Sequence, residues 1–81
     1  MRQVTDEKGR VWEAVAVEAP AAHMRLGAVL GFRPADEPGA ESITSRIGFN
    51  STEAAEFAIR TMSENELRRR LTISREMAGR V

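Results

Sequence analysis

ESITSRIGFNSTEAA, residues 41–55, changes its period partway along, and the fold follows from where the change falls. Up to Phe49 the residues alternate. Ile43, Ile47 and Phe49 share one side with Ser45, while Ser42, Thr44, Arg46 and Gly48 take the other. A period of two with one apolar side is the pattern of a strand that buries one face. From Asn50 onward the pattern is helical. Asn50 is expected to cap the helix, with Glu53 three positions on returning to the cap's backbone N–H and Phe49 stapling onto Ala54. That helix is predicted over Thr52 to Met62. A second capping box, Ser63-Glu64-Asn65-Glu66, stapled by Met62 and Leu67, starts another helix at once. The second helix is predicted from Glu64 to about Ala78, with Leu67, Leu71, Met77 and Ala78 on its apolar side and a stop at Gly79.

Before residue 41 the chain reads as further strands. RVWEAVAVE (10–18) and RLGAVLGFR (25–33) are alternating or β-branched runs, separated by a loop around Pro20 and followed by Pro34-Ala35-Asp36-Glu37-Pro38-Gly39. The turn Asp6-Glu7-Lys8-Gly9 allows a short additional strand at Arg2 to Thr5. Loops this short exclude parallel crossovers, which need a dozen or more residues. The expectation is an α+β fold: an antiparallel meander of three strands, or four if Arg2 to Thr5 pairs, followed by two C-terminal helices, (β)βββαα.

The faces of the two upstream strands are harder to assign. Leu26, Ala28, Leu30 and Phe32 make a strong side of 25–33, leaving Gly27, Val29 and Gly31 behind. In 10–18, Val11, Val15 and Val17 alternate with Trp12, Ala14 and Ala16, so both sides are apolar apart from Glu13. A hairpin centred in the loop would set Val11, Val15 and Val17 under the helices. Trp12 would then lie behind, opposite Gly31, with Ala14 opposite Val29 and Ala16 opposite Gly27. In that register Trp12, Ala14, Ala16 and Val29 form a flat patch suited to contact with another protein or a second copy. Two other readings stand beside it: local packing of the tryptophan over a cross-strand glycine, or the two helices dividing between the faces and enclosing the patch as core.

Length and charge limit what the chain can do. Its 81 residues suit a single domain spanning 1–81, since one core usually takes about 50 to 200 residues. Zero cysteines remove disulfides, thiolate nucleophiles and Cys-ligated zinc, and point to a cytoplasmic setting. No window approaches the roughly 18 apolar residues of a membrane span, so no membrane partner is expected. His23 is the sole histidine and has no second ligand type beside it, so no metal or other cofactor is expected. No motif places a nucleophile beside a base and a carboxylate, so no catalytic residue is assigned and the chain is not expected to be an enzyme. The one enzymatic variant would use Glu13, Arg25, Arg33 and Arg46, with Glu13 buried and its pKa raised.

Twelve basic residues balance twelve acidic ones, so no net field draws in nucleic acid. Residues 67–81 nevertheless hold five arginines against Glu76, a local charge of +4. Glu64 with Arg68, Glu66 with Arg70 and Glu76 with Arg80 are i,i+4 pairs in the favourable order, leaving Arg69 and Arg75 as candidate phosphate contacts. The layout of three antiparallel strands and a helix opening Phe49-Asn50-Ser51-Thr52-Glu53-Ala54-Ala55 is similar to that of integrase-arm DNA-binding domains. The resemblance implies major-groove reading by the sheet face opposite the helix. Here that face is expected to carry Ala, Val, Gly, Trp12 and Arg46, which is too neutral for that role. The reading that results is a non-catalytic protein-interaction module or subunit, a homodimer through the face around Trp12, with nucleic-acid binding as the alternative.

Overall fold

A computed structural model describes residues 2–18, 27–37 and 39–79. Four strands, β1 (Arg2–Thr5), β2 (Val11–Glu18), β3 (Ala28–Pro34) and β4 (Ile43–Phe49), are followed by helices α1 (Thr52–Thr61) and α2 (Glu64–Ala78). The strands form one antiparallel sheet in the order β1-β2-β3-β4. The fold is therefore the expected α+β meander with two helices after it, and the short first strand is present. His23, Arg25, Leu26 and Arg80, with the loop around Pro20, lie outside the described residues.

Both helices pack on the same face of the sheet. Ile59 of α1 and Leu67 and Leu71 of α2 join Val4, Trp12, Ala14, Leu30 and Phe32 in one buried cluster, with Ala16, Ile43, Ile47, Phe49 and Met62 packed against it. Small residues explain why α1 settles over β2 and β3. Ala14, Ala28 and Ala55 are each fully buried and let the helix backbone approach the sheet. Gly27 serves a related purpose at the end of β4. Its N–H donates to the Phe49 carbonyl, and a β-carbon there would stand 2.6 Å from the Asn50 carbonyl oxygen.

The β2–β3 register corrects the expected one. Trp12 lies opposite Pro34 rather than Gly31, Ala14 opposite Phe32, and Ala16 opposite Leu30. The slip is three residues, and any odd slip turns a strand over. Trp12, Ala14 and Ala16 therefore face the helices, and Val11, Glu13, Val15 and Val17 face away. The side chain that decides between two nearly equal faces is Glu13. It sits directly opposite Arg33 and accepts from Arg33 Nε at 2.9 Å on the face that neither helix covers. The opposite arrangement would bury that carboxylate beneath α1, at a large desolvation cost.

The helix boundaries follow the predicted caps with one change. Ser63 caps α2, accepting from Glu66 N, and Gly79 closes it. The cap of α1 is Ser51, which accepts from Ala54 N, and not Asn50. Asn50 belongs to the connection whose carbonyl rests against Gly27, so the first helical turn starts one residue later. Met62 ends α1 as its C-cap. On α2 the buried stripe runs Leu67, Leu71 and Ser74, with Met77 half-buried and Ala78 exposed. Ser74 tolerates burial because its hydroxyl donates to the Arg70 carbonyl at 2.8 Å.

Candidate functional site

The residues singled out from the sequence do not assemble into one surface. Trp12 is 4% exposed and Ala14 fully buried, both under the chain's own helices, while Val29 points to the other face. The Trp12 indole donates to Asp6 Oδ2 at 3.0 Å, and the guanidinium groups of Arg10 and Arg75 stand 5.1 and 5.6 Å from the centre of its ring. Two cations against a buried ring are a packing arrangement.

Asp6 organises this corner. Its Oδ1 accepts from the backbone N–H groups of Lys8 and Arg10 at 2.9 Å, closing the β1–β2 turn in which Gly9 takes φ of 84°. Its Oδ2 accepts from Trp12 and from Arg75 Nη1 at 3.0 Å. The Trp12 hydrogen bond, those from the Arg10 and Lys8 backbone, and the Arg75 charge together hold the Asp6 carboxyl below its ordinary pKa, partly offset by burial. A lowered folded pKa contributes stability that is complete above the unfolded value and disappears as pH falls through the folded one. Stability is thus expected to decline in acid below about pH 5, and Asp6→Asn, less stable at neutral pH, should show a flatter decline. Urea midpoints measured from neutral pH into acid check this: equal slopes for the two proteins would contradict it.

The arginines of α2 are largely taken up by the fold. Arg75 reaches Asp6 across 69 positions of sequence, Arg68 Nε donates to the Thr5 carbonyl at 3.1 Å, and Arg70 pairs with Glu66. Arg75 was expected to lack a partner, because nothing in the local spacing reveals Asp6. Of the two candidate phosphate contacts Arg69 alone is exposed without an ion pair among the described residues. Arg46 stands exposed on β4, the strand next to the one that carries Arg33.

A feature not read from the sequence stands out at the edge of the sheet. β1 has four residues and β2 eight, and their pairing ends at Arg2 opposite Ala14. Beyond that point Val15, Ala16, Val17 and Glu18 have β3 on one side and no strand on the other among the described residues. Backbone direction along β2 follows from two hydrogen bonds. The Arg10 carbonyl accepts from Asp6 on the β1 side, and the Val11 carbonyl accepts from Ala35 on the β3 side. Alternation then directs the N–H and C=O of Ala16 and Glu18 outward.

A cleft of about 480 Å³ lies beside this free half-edge. Ala14, Val15 and Ala16 of β2 line it, with Arg33 of β3. α1 supplies Glu56, Ile59 and Arg60, and Arg2 closes the end nearest β1. Arg2 donates through Nη1 to the carbonyls of Ile59 and Met62, which take its N–H groups without cancelling its charge. Arg60 stacks 5.6 Å over the ring of Phe57, the most exposed large apolar side chain described, at 58%. The mismatch of strand lengths was the sequence signal for this site. For Phe57 it was the helical wheel, since two positions from buried Ile59 is nearly the opposite side.

The outer edge of β4 differs. The β3–β4 register shifts between Val29 and Gly31, and the Ser45 hydroxyl bridges the irregularity by donating to the Leu30 carbonyl and accepting from Ile47 N. A bulged edge carrying an arginine mid-strand is protected against strand addition, whereas the free half of β2 shows no bulge against β3 and carries its one charge, Glu18, at its last residue. Compared with known proteins, the chain matches no family model, no curated protein and no solved structure.

Proposed function

We propose that the protein is a non-catalytic protein-interaction module that docks an extended segment of a partner along the free half of β2. The observation that carries this reading is the pair of outward-facing backbone groups at Ala16 and Glu18 beside a cleft floored by Ile59. Strand addition between a sheet edge and a helix gains affinity from main-chain hydrogen bonds and specificity from the side chains along the groove. The remaining apolar surface supports the same reading, because half-buried Val15, Val17 and Val29 would continue across an added strand. No helix of the described residues is long and apolar enough to cross a membrane, and a chain without cysteine suits the cytoplasm.

The test is a titration followed by amide NMR, using an acetylated, amidated hexapeptide that alternates Thr and Val. The amides of Ala16 and Glu18 should shift most, and Ala16→Pro should abolish the response while leaving the far-ultraviolet circular dichroism spectrum intact. Proline is tolerated there because the Ala16 N–H is not part of the β3 ladder. Shifts confined to β4, or none at millimolar peptide, would remove the reading.

A further inference from the structure

We infer that the segment docked on β2 is the same stretch of a second copy, so that two chains join edge to edge into one continuous eight-stranded sheet. This rests on the proposed strand-addition site and specifies its partner.

The register is set by parity and by what already occupies β2. An isologous antiparallel pairing needs the outward-facing residues, Ala16 and Glu18, to face one another across the two-fold axis. Pairing Ala16 with its own counterpart would bring Glu18 opposite Ala14, where Arg2 already sits. Pairing Glu18 with its own counterpart would set two carboxylates side by side. The remaining choice places the axis at Val17, with each Glu18 opposite the other copy's Ala16. It forms both hydrogen bonds of two pairs and stacks Val17 on Val17 across the open face.

Charge and shape agree with that register. Glu18 is exposed, with no ion-pair partner among the described residues, and its side chain shares the helix face with Ala16. Opposite the other copy's Ala16 it enters the cleft that Arg60 and Arg2 line, where Glu56 is the one acid among the described residues. Each copy thus supplies an acid to the other's cationic cleft. Helix placement fits as well. Strands lie about 4.8 Å apart, and α1 packs chiefly over β2 and β3. The two α1 helices would then run roughly 10 Å apart, at the upper end of the usual helix-packing distance. With a net charge of zero, the two copies meet no long-range repulsion.

Light scattering on the full chain, up to about 0.5 mM, a range in which weak dimers of this kind assemble, tests the inference. The expected mass is twice 9.0 kDa. Ala16→Pro should be monomeric and folded. Glu18→Arg and Arg60→Glu should each raise the dimer Kd about tenfold, and the double charge swap should restore it. A monomeric wild type overturns the inference. The Thr-Val peptide then separates the two claims: shifts at Ala16 and Glu18 would keep the edge as a site for another protein, and their absence would remove both. A dimer indifferent to Ala16→Pro and to the charge swaps uses some other surface and overturns it equally.

Discussion

Trp12→Ala is expected to reduce folding stability by about 3 to 5 kcal/mol, the usual range for removing a buried aromatic side chain. The ring is 4% exposed within the central cluster, so its loss opens a cavity that Phe32 and Leu67 cannot fill from their fixed positions. The loss also leaves Asp6 without its indole donor and removes the surface on which Arg10 and Arg75 rest. A domain of this size has roughly 4 to 12 kcal/mol in total, so the variant should be largely unfolded near 40 °C or marginal at 25 °C. Trp12→Phe keeps most of the apolar volume and loses the hydrogen bond, and should fall between the two. Urea unfolding followed by circular dichroism gives the comparison. If Trp12→Ala lost under 1 kcal/mol, the tryptophan would not be part of the core.

The second large effect separates two neighbours on α2. Leu71 is fully buried and Ile73 is 38% exposed, two positions apart on one helix. Leu71→Ala should lose about 2 to 5 kcal/mol, through lost transfer free energy and a residual cavity between α2 and the sheet. Ile73→Ala should stay within about 0.5 kcal/mol, as surface substitutions do. Paired denaturation curves measure both. Equal losses would mean that α2 is seated with a different face toward the strands.

The strand and helix segments were readable because each carries its period plainly. Ile43, Ile47 and Phe49 mark one face of β4, and Ser63 with Glu66 marks the start of α2 within a residue. β2 resisted the same treatment because alanines and valines alternate along it and neither set is polar. The single charge within its alternating run, Glu13, held the answer: its partner Arg33 lies directly across and keeps the pair on the uncovered face. The Asp6 corner was not legible at all. It brings together residues 6, 10, 12 and 75, and side chains so far apart in sequence meet only after the sheet and α2 have packed. The free half-edge was legible in principle, since four residues cannot cover eight, but length mismatch predicts an opening without saying which backbone groups point into it.

The arginines that fasten the first strand give the chain an order of assembly. Arg2 reaches the end of α1, Thr5 receives Arg68, and Asp6 receives Arg75, contacts that span 57 to 69 positions. On a ribosome the β1–β2 hairpin is made before α1 and α2, which carry its anchoring partners. Until they arrive the sheet has no helix over its apolar face, with Trp12 uncovered and the free half of β2 able to pair with any extended chain nearby. Completion of the C-terminal helix would therefore act as the latch that ends this exposed interval, and a nascent chain stalled before Arg75 would remain in it.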